Sequence, residues 1–375
     1  MAIYLDNAAT TPMATEVIEA MTEVMRSTFG NPSSTHSFGR ESKGILETSR
    51  RSIAKHLNCE ASEIIFTSGG TEADNLAICS AVNKMGVQHI ITSSLEHHAV
   101  GHTADSIANA KSIKVSLVKV DNNGHVDLAD LERLLQEEGK ALVSLMHANN
   151  EIATLLPLKK VSALCRKHNA LFHSDTVQSM GHYSFDLQGL DIDFITCAAH
   201  KFHGPKGIGF LYTNKGVQIT PIIHGGAQER GFRGGTENMS GIVGLAKAMD
   251  LAYEDVEAHQ KKVQELKSYF IKELENIFED IHFHGETKPE QSLYTVLNVC
   301  FPITDKSSML LFTLDIKGVA VSGGSACTSG ASVGSHVLAG INADMTRPNA
   351  RFSFSRYTTK EEIDIALKVI KEVYE

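Results

Sequence analysis

Between about residue 60 and residue 215, short apolar runs recur at residues 63–67, 89–92, 115–118, 141–146, 170–173, 193–197 and 208–212. Segments with helical patterning separate them. This alternation constrains the fold more than any other feature, because short apolar runs bounded by turns read as strands, and helices between them imply a mostly parallel sheet. The expected class is α/β, with a seven-stranded, mostly parallel sheet.

In open sheets of this kind ligands collect at the carboxyl ends of the strands, and polar residues cluster there. Ser68-Gly69-Gly70-Thr71 follows the first run, Glu96-His97-His98 the second and His147-Ala148-Asn149-Asn150-Glu151 the fourth. The fifth leads into Ser174-Asp175-Thr176-Val177-Gln178 and the sixth into His200-Lys201. Five strand ends therefore direct hydrogen-bonding or ionisable groups to one edge.

Residues 241–279 are long, amphipathic and helical in pattern, a bridging helix or helix pair. Residues 281–284, 296–299, 319–321 and 351–354 read as strands and 360–374 as a closing helix, together a smaller α+β unit. The expected division is a large α/β domain over residues 16–250 and a small domain of residues 1–15 plus 251–375.

Thirty-five Lys and Arg stand against 44 Asp and Glu, a formal net charge of -9 without long blocks of one sign. That balance argues against a nucleic-acid or anionic-membrane binder and for small-molecule and protein partners. The six cysteines show no CxxC and no metal-ligand spacing, and the first residues lack the basic stretch of a signal peptide, so reduced thiols in a cytoplasmic protein are expected. Residues 318–343 carry no Asp, Glu, Lys or Arg, but six glycines and five serines make that stretch a loop rather than a membrane helix. Cys327 sits in its middle, an accessible thiol, whereas the other five lie in or beside apolar runs.

The turn at 67–74 joins a strand to a helix, with glycines that let the backbone approach a ligand and a helix start suited to a phosphate. Thr71 and Asp74 have capping-box spacing there. It is neither a Walker loop nor the spaced GxGxxG of dinucleotide folds. Asp175 and Lys201 end successive strands, which puts a carboxylate and an amine on the same sheet edge. An aldehyde cofactor needs that pair, the lysine to form an imine and the carboxylate to keep a pyridine nitrogen protonated. His97 is placed to stack on a flat cofactor or to act as an acid or base. Eighteen histidines could supply metal ligands, but no HExxH or cysteine pair supports a metal site.

These residues resemble the cysteine desulfurases, within the class V aminotransferase group of pyridoxal-phosphate enzymes. The resemblance spans nearly the whole chain through nine motifs in order, among them Asp6-Asn7-Ala8-Ala9-Thr10-Thr11, Ser68-Gly69-Gly70-Thr71-Glu72, Glu96-His97-His98, Asn149-Asn150-Glu151, His200-Lys201, Arg233-Gly234-Gly235-Thr236, Ser325-Ala326-Cys327-Thr328-Ser329 and Arg351-Phe352-Ser353. It implies a fold-type-I homodimer that binds pyridoxal 5'-phosphate and acts on L-cysteine. Lys201 would carry the cofactor, Asp175 pair with its pyridine nitrogen, His97 stack on its ring and Gln178 bond its phenolic oxygen. Gly70, Thr71 and His200 would hold the phosphate, with Thr236 reaching across from a second subunit. Asn150 and Arg356 would bind the substrate carboxylate, and Cys327 would take the sulfur as a persulfide and pass it to an acceptor protein. The long Ser-Ala-Cys-Thr-Ser segment resembles the type that serves iron–sulfur assembly. A selenocysteine lyase or another class V lyase or aminotransferase is the alternative. Three positions depart from the usual pattern: Ala198 replaces a serine at the phosphate, Gly323 a serine before the cysteine, and Ala153 a glycine after Asn-Glu-Ile.

Overall fold

The computed structural model describes residues 2–137, 139–304, 309–323 and 334–375. Cys327 and the rest of its motif lie outside the described residues. After the two-residue strand β1 (Ile3–Tyr4) come α1 (Thr15–Ser27) and α2 (Ser37–His56). The apolar runs then form β2 (Ile64–Thr67), β3 (His89–Thr92), β4 (Lys114–Leu117), β5 (Ala141–Ser144), β6 (Leu171–Asp175), β7 (Phe194–Ala198) and β8 (Gly209–Thr213). They make one seven-stranded sheet in the order β2-β8-β7-β6-β5-β3-β4. Only β8 runs against its neighbours in this sheet, antiparallel to both β2 and β7.

Crossover helices α3 (Gly70–Met85), α4 (His98–Lys111), α5 (Leu128–Leu135) and α6 (Leu158–Lys167) connect the first five of these strands. No helix connects β6 to β7, where the chain passes through turns over residues 176–193. Apart from the edge strand β4, whose ends are exposed, the strands are buried throughout because both faces are covered. Successive side chains alternate between the faces, so Ile64, Ile91, Val143, Phe172 and Ile195 join one core with α2, α5 and α6. Ile65, Ile90, Leu142, Leu171 and Phe194 join another with α3 and α4.

The amphipathic stretch is a helix pair, α7 (Met239–Tyr253) and α8 (Val256–Ile277). Beyond it lie β9 (His282–His284), β10 (Val296–Cys300), α9 (Leu310–Ile316), β11 (Val319–Ala320), α10 (His336–Gly340), β12 (Asn349–Ser353) and α11 (Lys360–Tyr374). β10 pairs antiparallel with both β9 and β12, and β1 pairs parallel with β11. Ile3 and Leu5 are buried with Phe270, Leu297, Phe352 and Ile363 in a separate core. The first residues of the chain are thereby tied to the last hundred.

Two local features constrain loops near the sheet edge. Ala153 has φ 66 and is 1% exposed, a left-handed conformation that costs an alanine roughly 1 kcal/mol; Ala153 N–H donates to Asn149 O and its carbonyl accepts from Leu293 N. Glu229 and Arg230 are also left-handed, at φ 44 and φ 59. A buried bidentate pair from Arg50 to Glu229, at 2.8 and 2.7 Å, holds that segment against the end of α2, and Glu229 also accepts from Phe66 N at 2.8 Å. Among the described residues no helix is long and apolar enough to cross a membrane.

Several imidazoles are locked inside this framework. His173 and His203 are 0% and 3% exposed, and burial pushes their pKa values down to about 3 and about 4. In the unfolded chain the same groups titrate near the ordinary value of about 6.5. Their contribution to stability is therefore fully present above about pH 6.5 and is lost as pH falls toward their folded-state values. At pH 5 each should cost about 2 kcal/mol relative to pH 7. His147 and His182, lowered by burial to about 4 and about 3, add to this and outweigh the opposite effect of the buried acids Asp74 and Glu96. The Tm is therefore expected to fall between pH 7 and pH 5, with protons taken up on unfolding; a Tm flat across that range contradicts neutral burial of these four rings taken together.

Candidate active site

A cavity of about 280 Å³ opens at the carboxyl ends of β2, β6 and β7. Strand pairing assembles it. The parallel register sets Asp175, the last residue of β6, opposite Thr196 on β7, and β7 runs directly into the single 3-10 turn Ala199–Lys201. Asp175 and Lys201 therefore reach the same cavity. Asp175 is 7% exposed; its Oδ1 accepts from Val177 N at 2.9 Å and stands 3.5 Å from the Thr196 hydroxyl. Lys201 Nζ donates to the backbone carbonyls of Ala8 and Ala9 at 2.6 and 3.0 Å. The 6–11 segment is thus a strap across the lysine, and Gln178 Nε2 also donates to Ala8 O, at 2.9 Å.

The same strap binds the turn after β7. Thr11 donates to His200 O through both its N–H and its hydroxyl, each at 2.9 Å, and His200 Nδ1 is 3.2 Å from the Thr10 hydroxyl. Burial, reinforced by Lys201 and Lys206, pushes His200 down to about 4, so it faces the cavity as a neutral ring at pH 7. His97 is the N-cap of α4, its Nδ1 accepting from Ala99 N at 3.1 Å. That bond leaves the proton on Nε2 and fixes the ring plane. Burial lowers the His97 pKa against the opposing pull of Asp175.

The start of α3 differs from the sequence expectation. Its N-cap is Gly69, at φ 154, with no side-chain cap, so Thr71 lies inside the helix and does not cap it through Asp74. The glycine pair lets the helix begin earlier, and its first-turn N–H groups lack a side-chain acceptor beside the cavity. A Cβ on Gly70 would stand 2.6 Å from Val177 Cγ2 and 3.9 Å from Ala198 Cβ. This is a cradle only a bare backbone can line. Gly70, Thr71, His97, Asn150, Asp175, Gln178, His200 and Lys201 all border the one cavity.

Arg356 does not. β12 ends at Ser353, whose hydroxyl oxygen accepts from Ala8 N at 2.8 Å, and the chain then turns away, leaving Arg356 beside a separate cavity with His182, His203 and Tyr294. Arg351, two residues before Ser353 on the same strand face, borders the active cavity instead. It is 1% exposed, and its guanidinium donates to Asp6 Oδ1 and to Asn150 O, each at 2.9 Å. Its Nε is buried with no acceptor among the described residues. Arg351, not Arg356, thus borders the cavity that Lys201 and Asp175 reach. Thr236 is exposed and does not border its own chain's cavity.

Two buried carboxyls were missed from the sequence. Asp74 borders the cavity from α3, and burial, with Asp175 nearby, holds its pKa well above the usual carboxylate range. Glu96 accepts from the Ser93 hydroxyl at 2.8 Å and from Met146 N at 2.9 Å; burial pushes it up to about 8. Helical spacing could have placed Asp74 one turn inside the phosphate-type loop, but nothing in the sequence gives its neighbours across the sheet. Among the described residues no group of three or more His, Cys, Asp or Glu is placed to hold a metal ion.

An amine and a carboxylate at adjacent strand ends, a bare-backbone cradle and an uncapped helix start fit an aldehyde cofactor that carries a phosphate. The chain matches the class V aminotransferase family over residues 3–366. A protein named cysteine desulfurase IscS from Dictyoglomus turgidum is 41% identical over 377 aligned positions, covering 100% of this chain and 94% of that one. A solved structure described as a NifS-like protein superposes with TM-score 0.91 at 39% identity, covering 100% of this chain and 99% of that one. Another, described as SspA in complex with cysteine, gives TM-score 0.80 at 29% identity, covering 95% and 100%.

The cradle makes a direct test possible. Gly70→Ala forces the added methyl to 2.6 Å from Val177 Cγ2, and overpacking of that kind costs about 1–3 kcal/mol. A lowered Tm is expected, with loss of whatever anion the helix start holds. Unchanged Tm and ligand affinity would show that the cradle has room to spare.

Proposed function

This chain belongs to the class V aminotransferases, among their cysteine desulfurases, and from that premise we propose that it holds pyridoxal 5'-phosphate at Lys201 to convert L-cysteine into L-alanine and a persulfide on Cys327. The observation that carries the reading is the convergence of Lys201, Asp175 and the Gly70 cradle on one cavity. The neighbour described as a complex with cysteine supports the substrate. Pyridoxal phosphate, when bound, supplies an aldehyde for amino groups and a ring that accepts electrons from the substrate's Cα.

The chain's own residues would do the rest. Asp175 would hold the proton at the pyridine nitrogen, His97 would pack on the ring, and Gln178 would bond the phenolic oxygen. Gly70, Thr71 and His200 would hold the phosphate, Ala198 offering no hydroxyl for it. Arg351, with Asn150 beside it, orients the substrate carboxylate through its fork of N–H donors. The Lys201 amine, freed when substrate takes its place, moves the proton at Cα. The Cys327 thiolate attacks the substrate sulfur, forming an S–S bond as the Cβ–S bond breaks; that bond's electron pair returns to Cβ, which takes up a proton, and alanine leaves. Sulfur then passes from Cys327 to an acceptor protein of iron–sulfur assembly or another thiolation pathway.

Further features fit the same reading. Thr236, exposed and away from its own cavity, suits a homodimer in which it reaches the partner's phosphate. The buried Arg50–Glu229 pair would hold that segment in place. The separate cores, one containing Ile3 and Leu5 with Phe270 and Phe352, fit a large domain of residues 16–250 and a small domain of 1–15 plus 251–375. The five described cysteines are free thiols, in keeping with a reducing, cytoplasmic setting.

Lys201→Ala should lower alanine formation from cysteine at least about 100-fold, the usual share of a general acid or base; a normal rate removes Lys201 from proton transfer. Cys327→Ala should remain yellow with bound cofactor yet form no persulfide, and undiminished sulfur release from it would sink the persulfide route. For the substrate carboxylate, Arg351→Lys should raise KM for cysteine roughly 10-fold to 100-fold, while Arg356→Lys leaves KM nearly unchanged. The reverse pattern would restore the role to Arg356.

A further inference from the structure

Two fully buried polar atoms behind the cavity face one another without another partner. Asp74 and His173 are 1% and 0% exposed. Asp74 Oδ1 and His173 Nε2 make no hydrogen bond among the described residues, yet they stand 3.4 Å apart. A shift of a few tenths of an ångström would make this an ordinary hydrogen bond, and leaving both atoms unpaired would cost about 1–3 kcal/mol apiece. One proton between them satisfies both.

That proton can sit on either side. An ionised Asp74 would accept from His173 Nε2–H; a protonated Asp74 would donate to a bare Nε2. The surroundings decide between these. Burial is the larger influence on Asp74 and Asp175 on β6 adds to it, both opposing a negative charge there; a hydrogen bond from Thr196 acts the other way with smaller effect, and Glu96 before α4 is itself held toward its acid form. His173 offers no compensating cation, since burial pushes its imidazole down to about 3. The other face of the ring is compatible with a protonated Asp74: His173 Nδ1 is 2.8 Å from the Ser144 hydroxyl and can donate to that oxygen, which leaves Nε2 free to accept.

We propose that Asp74 is a neutral carboxylic acid that donates its proton to His173 Nε2, so that the negative charge on this side of the cavity rests on Asp175. Asp74 is then a positioning residue. It lines the cavity and satisfies His173 without adding a second carboxylate that would compete with Asp175 for a pyridine proton. The Thr196 hydroxyl stands 3.5 Å from Asp175 Oδ1 and also hydrogen-bonds Asp74, so the two carboxyls share it. This assignment rests on the reading that pyridoxal phosphate occupies the cavity, but the protonation state itself can be measured without the cofactor.

The test compares the wild type with Asp74→Asn, a neutral isostere whose amide can donate to the same ring nitrogen. An infrared difference spectrum between the two at pH 7, recorded on the cofactor-free and the pyridoxal-phosphate-loaded protein, should show the C=O stretch of a protonated acid that the variant lacks. Carboxylate bands in its place overturn the proposal, and do so whether or not cofactor binds. In the loaded protein, Asp74→Asn should keep the cofactor Kd within about twofold and the pH midpoint of its absorbance within a few tenths of a unit, because no charge has been removed. A midpoint moved by a unit or more would mean that Asp74 was charged. A wild type that never turns yellow would instead defeat the cofactor reading, a separate outcome from the infrared result.

Discussion

The parallel pairing of β6 with β7 is the constraint on which the rest depends. Its register sets Asp175 opposite Thr196, and a slip of one residue would turn Asp175 to the other face of the sheet. Because the cores on both faces are filled by alternating side chains of these strands, such a slip would also bury the wrong side chains. The carboxylate is held in place by the same packing that makes the sheet. Lys201 follows within three residues of the end of β7, so its amine is placed by that strand rather than by a free loop.

The N-terminal strap completes the arrangement. Ala8 and Ala9 offer carbonyls to Lys201, Thr11 grips His200 O, and Asp6 takes the Arg351 guanidinium. Three groups that border the cavity are thereby fixed through eleven residues of chain that the small sheet anchors at β1. The electrostatics follow from burial. His200 and His97 are pushed toward neutrality, and Asp74 and Glu96 toward their acid forms. In a medium of low polarity, groups that have lost their charge leave the remaining ones unscreened and therefore strongly directive.

Much of this was legible in the sequence. All seven apolar runs are strands of one sheet, and residues 360–374 form α11 as expected, because burial on both faces leaves an unbroken apolar signature and an exposed helix leaves a periodic one. Residue types at strand ends were enough to bring Asp175, Lys201, His97 and the Gly70 turn together. The failures have local causes. The β6–β7 connection carries no helix, since turns over residues 176–193 suffice. Thr71 does not cap α3 because glycine at 69 lets the helix begin before it. Arg351 and Arg356 are alike in type and five positions apart, and the end of β12 at Ser353 between them is what sets them at different cavities. Ala153 adopts a left-handed conformation its side chain disfavours, imposed by bonds to Asn149 and Leu293 that no local pattern announces.

The central claim is that the amine at the end of β7 is the one that carries the cofactor. Its most direct test is to load the purified protein with pyridoxal phosphate, reduce it with borohydride to fix the cofactor where it is held, digest it and locate the modified lysine by mass spectrometry. The expected result is a single pyridoxyl-modified peptide, with the label on Lys201. Label on another lysine, or none after full loading, would contradict the assignment and with it the roles given to Asp175 and Arg351.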